Sequence, residues 1–292
     1  MKLIDGKKIA AEIKLEIAAE VAQMIDSGKK TPHLAAVLVG EDAASQTYIA
    51  SKEKACHEVG MISSVYKYAD TISEKRLLEA IDFLNNDDEV DGFIVQLPLP
   101  KNIPVNKIIE RINPAKDVDG FHPVNVGRMV LGLPSYLPAT PYGIMQLIER
   151  CNIETEGKHC VILGRSNIVG TPMSLLMSRK GNPGNCTVTL CHSKTQNINE
   201  ICRQADILIA AIGIKGFVTA DMVKQGAVVI DVGMHRILST ETKSGYRLTG
   251  DVNFDEVASK CSYITPVPGG VGLMTIVSLL KNTLKAAKRE IY

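Results

Sequence analysis

Short apolar runs alternate with helix-length amphipathic stretches along most of this chain, and that alternation narrows the fold more than any other feature. It is cleanest after residue 158: HCVILG, a turn and helix in RSNIVGTPMSLLMSR, CTVTL, a helix around 197–204, DILIAA, a helix near 219–224, then AVVIDVG. Apolar runs this short, bounded by turn residues, suit strands buried on both faces, and helices between them make βαβ units of a parallel sheet. The first half follows the same logic, with a helix near 7–27, strands at 34–39, 63–68 and 92–97, and helices at 45–59 and 73–86. The expected class is α/β with two α/β domains, the second a Rossmann-like NAD(P)-binding domain, since 292 residues are many for one core. The boundaries expected are 1–140 plus 271–292 for the first domain and 141–270 for the second.

A long helix from Val271 closes the chain. Val271, Met274, Val277, Leu280 and Leu284 recur at three and four residues, while Ser278, Lys281, Lys285 and Lys288 fall on the other side, so one stripe is expected to be buried. At about 1.5 Å per residue such a helix spans roughly 30 Å, enough to return to the first domain.

Charge and cysteine content exclude several classes. A net charge of +1, from 33 basic and 32 acidic residues, gives no field that would gather nucleic acid or a membrane surface. The seven cysteines are scattered and never form CxxC, which favours a reducing compartment over a disulfide scaffold. The start MKLIDGKKIAAEI lacks a signal-peptide core, and no stretch reaches the roughly 20 apolar residues of a membrane span, so a cytoplasmic protein is expected. No His, Cys, Asp or Glu spacing calls for a metal.

The strongest local motif is ILGRSNIVG, in which Gly164 ends a strand and Gly170 lies early in a helix. Glycines there let phosphates approach the backbone, and free amides at the helix start face the negative charge. A tight turn without ligand would need the same glycines. NAD-binding units commonly place Asp or Glu at the end of the next strand, to accept from the ribose hydroxyls. Here that position reads CHSKT, with Cys191, His192, Ser193 and Lys194, so with Arg165 nearby NADP is favoured over NAD. Gly213 in AAIGIKG and Gly233 in IDVGMHR close two later strands, as plain turns or as backbone packed against a flat cofactor.

Tyr48 and Lys52 stand four residues apart on one helical face, just past the strand HLAAVLVG. On a solvent face they would be an ordinary pair. Gln96, after FIV and two residues before Pro98, makes the difference: phenol, ammonium and amide together can orient water and move a proton if Lys52 is desolvated. Residues 113–143, rich in Pro and Gly and carrying Asp117, Asp119, His122 and Arg128, read as the wall of a cleft.

The segments YIASK, VQLPLP, KDVDGFHPVNVGR, TPYG, GRSNIVGTP, CHSKT, IDVG and TPVPGGVG occur in consistent order from about residue 1 to 290. Together they resemble the bifunctional methylenetetrahydrofolate dehydrogenase/methenyltetrahydrofolate cyclohydrolase family of bacterial type. The resemblance implies oxidation of 5,10-methylenetetrahydrofolate with NADP⁺, then hydrolysis to 10-formyltetrahydrofolate, in one cleft between a folate-binding and an NADP-binding domain. It implies an acid/base role for Lys52, stacking by Tyr48, support from Gln96 and pterin binding by Asp119. Pro266, Val267, Pro268, Gly269 and Gly270 resemble the loop around folate and cofactor, and Arg165, Ser166, His192 and Ser193 resemble NADP-contacting positions. A homodimer through the NADP-binding domain is also implied. The chain departs from the family at Ala139, Lys215, His235 and Leu273, where cysteine, proline, asparagine and proline are common. The competing readings are a dehydrogenase without hydrolysis, an amino-acid dehydrogenase of like architecture, and a non-enzymatic nucleotide-binding protein.

Overall fold

Strand and helix alternate in the computed structural model, which describes residues 1–240 and 245–292. The first half runs β1 (Lys2–Leu3), α1 (Gly6–Asp26), β2 (His33–Val39), α2 (Ala43–Glu58), β3 (Ile62–Tyr68), α3 (Glu74–Asn86) and β4 (Gly92–Val95). Helices α4 (Val105–Arg111), α5 (Pro123–Val130) and α6 (Ala139–Arg150) lead to β5 (His159–Leu163), α7 (Gly170–Ser178), β6 (Thr187–Cys191), α8 (Ile198–Arg203), β7 (Ile207–Ala210) and β8 (Val228–Asp231). A hairpin of β9 (His235–Leu238) and β10 (Tyr246–Thr249), a short α9 (Phe254–Val257), β11 (Tyr263–Ile264) and α10 (Val271–Ala287) complete the chain. Among the described residues no helix is long and apolar enough to cross a membrane.

Two compact units result. The first comprises Ala11–Ala139 and Ile276–Tyr292, the second Met1–Ala10 and Thr140–Thr275. The opening ten residues therefore depart from expectation: β1 pairs in parallel with β11, Lys2 opposite Tyr263 and Leu3 opposite Ile264, and joins the second unit's sheet. Ladder bonds to a strand 261 residues away carry no signal in local periodicity. Helices α1 and α10 each begin in the second unit and end in the first.

The first unit holds a parallel sheet of order β3-β2-β4. Its centre is β2, HLAAVLV, with six of seven residues buried, as a strand covered on both faces requires. Asp42 caps α2 by accepting from Ser45 N at 2.7 Å, and Ser73 caps α3 by accepting from Arg76 N at 3.2 Å. On α3, Leu77, Ile81 and Leu84 pack against Val37, Phe93 and Ile108 in one core. The expected strand 92–97 ends at Val95, and Gln96 continues only by donating its backbone N–H to Val37 O at 2.9 Å before Pro98 removes the next ladder donor but one. The segment read as turn-rich wall is more helical than expected, with a 3₁₀ turn at Pro114–Lys116 and α5 inside it. The final helix also departs from a single stripe: Ser278, Asn282 and Thr283 are buried together with Val277, Leu280 and Leu284. Asn282 donates there from Nδ2 to Val118 O at 2.8 Å and Leu137 O at 2.9 Å, while its buried Oδ1 has no partner among the described residues.

The second unit's six-stranded sheet is parallel throughout, in the order β1-β11-β8-β7-β5-β6. Strand order reverses at β5, since β6 lies to one side and β7 to the other; this is the switch point at which open α/β sheets bind ligands. Where a helix near 219–224 was expected, only the 3₁₀ turn Ala220–Met222 forms.

Candidate active site

Helix α2 places Lys52 where an apolar residue would ordinarily sit. Ser45, Ile49, Lys52 and Cys56, spaced four, three and four, are all buried, and Lys52 is 7% exposed. Its Nζ donates to Gln96 Oε1 at 3.0 Å and lies 5.6 Å from the centre of the Tyr48 ring. Gln96 is fixed in turn, since its Nε2 donates to Leu97 O at 2.7 Å. Burial lowers the Lys52 pKa, against a smaller opposing pull from Asp119 and Cys56. Burial also raises that of the Tyr48 phenol, which stays protonated.

Asp119 reaches this cluster because the loop before it is stacked on β4. Phe93 and Asp117 form a parallel bridge, and a Cβ on Gly92 would lie 2.2 Å from Val118 Cγ1, so glycine alone admits so close an approach. Asp119 is half-buried, and among the described residues its carboxylate accepts no hydrogen bond and makes no ion pair. Desolvation raises its pKa, offset in part by the charge of Lys52. A planar acceptor pair without a protein donor is what a ligand with two adjacent N–H groups would satisfy. Tyr48, Lys52, Gln96 and Asp119 thus form one cluster in the first unit.

The second unit brings its turns together at the carboxyl edge of the sheet. Gly164, at φ +105°, follows β5; its N–H donates to Cys191 O at 2.9 Å, which sets it beside His192 at the end of β6. A Cβ on Gly164 would lie 2.1 Å from Ala211 O, and one on Gly170 1.9 Å from Gly164 O, so Gly164 is required by the close approach of the turn after β7 and Gly170 by packing within its own turn. Ser166 Oγ accepts from Val169 N at 3.2 Å and Gly170 N at 3.4 Å, organising the start of α7. The backbone amides of residues 165–168 have no intramolecular acceptor among the described residues, and Arg165 and Ser166 are exposed.

Beyond β6, His192 Nδ1 accepts from Lys194 N at 3.2 Å, so the neutral ring carries its proton on Nε2. Ser193 and Lys194 are exposed, and the residues that follow β6, 192–196, include no carboxylate. Open amides, an imidazole N–H, a hydroxyl and cations fit the phosphates of a dinucleotide. Gly213 follows β7 at φ +74° with open space around it, whereas a Cβ on Gly233 would meet Asp251 Oδ1 at 2.3 Å. Pro266, Pro268 and Gly269 lie beyond β11 in this same unit, where Gly269 O accepts from Lys7 N at 3.0 Å.

Comparison with known proteins decides the family. A profile described as the tetrahydrofolate dehydrogenase/cyclohydrolase NAD(P)-binding domain matches residues 138–291, and one for the catalytic domain matches residues 4–119. The chain belongs to the tetrahydrofolate dehydrogenase/cyclohydrolase family. It is 63% identical over 287 residues to the bifunctional protein FolD of Porphyromonas gingivalis, covering 98% of this chain and 97% of that one. The Campylobacter jejuni bifunctional enzyme FolD superposes with a TM-score of 0.93 at 48% identity, over 99% of both chains. The Trypanosoma brucei enzyme, solved with NADP cofactor and inhibitor, gives 0.93 at 36% identity over 99% of this chain and 98% of that one.

Within this family member, two buried acids escaped the sequence reading. Asp251, 0% exposed, accepts from Ile212 N at 2.8 Å, Gly213 N at 2.9 Å and His235 Nε2 at 2.7 Å. Asp231 accepts from the backbone amides of Gly233 and Asp251 at 2.9 Å and Val252 at 3.0 Å, and burial lifts its pKa to about 6. Together they tie the turns after β7 and β8. The signal was an aspartate ending each of the runs VVID and TGD, read only for the glycine beside it.

Proposed function

We propose that this chain oxidises 5,10-methylenetetrahydrofolate to the 5,10-methenyl form with NADP⁺ and hydrolyses that product to 10-formyltetrahydrofolate. The observation that carries the reading is the desolvated Lys52, held by Gln96 beside the Tyr48 ring with Asp119 nearby, in a chain of this family. Asp119 accepts from the pterin amino and ring N–H groups, and Tyr48 offers its ring face to the flat substrate. Bound oxidised dinucleotide would supply the hydride acceptor; the amides of 165–168, Arg165, Ser166, His192 and Ser193 would hold it, with Gly164, Gly170 and Gly233 keeping the surrounding turns close-packed and Gly213 leaving open space after β7. Pro266, Pro268 and Gly269 would border the bound molecules. The lack of an acid after β6 supports NADP over NAD.

In the hydrolytic half, water bonds to the electrophilic methenyl carbon as neutral Lys52 takes its proton. The carbon–N5 bond then breaks, with a proton delivered to N5, leaving the formyl group on N10. Gln96 orients the amine and the developing hydroxyl. A homodimer through the second unit belongs to the same reading and rests on family membership. Following methylenetetrahydrofolate with NADP⁺ or NAD⁺ spectroscopically, through methenyl and formyl products, tests the proposal; absence of either product refutes that half of it.

A further inference from the structure

Asp117 is 1% exposed, yet no cation pairs with it among the described residues. Three donors converge on it instead: Phe121 N at 3.2 Å on Oδ1, and His122 N at 2.8 Å and Asn125 Nδ2 at 2.9 Å on Oδ2. All three follow Asp119 in sequence, so the bonds close the chain into a small loop with Asp119 inside it. Gly120 tightens that loop: at φ +73° it donates to Asp117 O at 3.1 Å, and a Cβ there would lie 2.6 Å from the Leu137 carbonyl carbon. The base of the loop is pinned to β4 by the bridge to Phe93.

The next residue in the chain of bonds is Asn125, fully buried and used at both ends. Its Nδ2 also donates to Pro114 O at 3.0 Å, and its Oδ1 accepts from Tyr292 OH at 2.8 Å and Tyr136 N at 3.4 Å. Tyr292 is steadied by Arg128, whose guanidinium carbon lies 5.1 Å from its ring centre. The Asp117 carboxylate and the Asn125 amide are both engaged at each end, whereas the Asp119 carboxylate meets no donor among the described residues. Burying an acid in this way is costly, and desolvation pushes the Asp117 carboxyl up to about 7 despite its three donors. A neutral residue would serve stability alone better; the acid's return is the shape of the loop.

We propose that Asp117, linked through Asn125 to Tyr292, is a positioning residue for the folate: it holds the loop that offers the Asp119 carboxylate to the pterin. The inference deepens the folate reading given above and rests on it. Its test is steady-state kinetics of both half-reactions in the full-length chain with Asp117→Asn and, separately, Tyr292→Phe. Asp117→Asn, which sets an amide NH₂ against one of the three donors, should raise KM for the methylene and methenyl substrates about tenfold, the size of one lost hydrogen bond, and Tyr292→Phe about threefold. In both variants kcat should stay within about twofold and KM for NADP⁺ should not move. Unchanged folate KM in both variants overturns the proposal. So does a joint fall in kcat and rise in KM for NADP⁺, the pattern of general loosening. If Asp117→Asn does not fold, Tyr292→Phe, which removes one hydroxyl from a partly exposed side chain, decides alone. Wild-type protein inactive on both folates would overturn the folate reading itself.

Discussion

Lys52 and Gln96 lock one another: the ammonium rests 3.0 Å from Oε1 while the same amide donates through Nε2 to Leu97 O at 2.7 Å. The amide cannot turn over without placing a donor against the ammonium. It therefore offers Lys52 an acceptor and nothing else, in a setting where desolvation already favours the free amine.

Replacing Lys52 by Met should lower the cyclohydrolase rate by at least about 10²-fold, the usual contribution of a positioned acid/base. NADP binding should survive, and Tm should hold or rise, because an apolar chain of similar length replaces a desolvated charge. Formyl product formation, dinucleotide titration and a thermal melt check the three parts, and retained hydrolysis would remove Lys52 from the mechanism.

The hydrolytic rate should rise with pH. A lysine whose pKa is lowered by burial loses its proton below the ordinary value near 10.4, so the fraction able to accept a proton from water grows through the alkaline side of neutrality. A profile of kcat for methenyl hydrolysis from pH 6 to 9 tests this. A flat profile would contradict it.

Stability should respond to pH through Asp117. Its pKa is raised to about 7 in the fold from the model-peptide value of 3.8, so between these values the folded protein holds a proton that the unfolded chain has lost. The group's contribution is fully present below pH 4 and is lost as pH rises through 7, at up to about 1.4 kcal/mol per pH unit. Asp117→Asn mimics the protonated form, so its stability relative to wild type should improve between pH 5 and pH 8, as measured by urea unfolding at each pH.

Asp251→Ala should destabilise the second unit by about 2–4 kcal/mol, since Ile212 N, Gly213 N and His235 lose a buried acceptor. Because the two amides lie in the turn after β7, dinucleotide affinity should fall while hydrolysis of methenyl substrate persists. Denaturant melts and fluorescence titration with NADPH measure the two effects.

Arg165→Ala should narrow the NADP over NAD preference by roughly tenfold, the loss expected when a cation leaves a phosphate. The ratio of kcat/KM for the two cofactors is the readout. An unchanged ratio would take Arg165 out of phosphate recognition.

What could be read in advance followed local pattern. Both parallel sheets announced themselves because HLAAVLV, HCVIL and VVID are continuous apolar runs between helix-length segments. Lys52 could be singled out since Gln96 and Asp119 stand in turns rich in Pro and Gly, but its burial could not, because the core stripe of α2 includes a charge where hydrophobicity would predict its absence. Asp231 and Asp251 were missed for a related reason. Their partners are backbone amides, and a sequence does not display where those point. The helicity of 123–130 was hidden by Pro123, which reads as a breaker but occupies the first helical turn, where its missing N–H costs nothing.

The pairing of Lys2 and Leu3 with Tyr263 and Ile264 sets a timetable for biosynthesis. Strand β1 has no partner until β11 has been made, and the first unit likewise waits for the segment from Ile276 onward. Neither unit can close before those segments are made, so a nascent chain stalled before residue 263 should expose the edge of β8 and the α1 face to chaperones, whatever the stability of the finished enzyme.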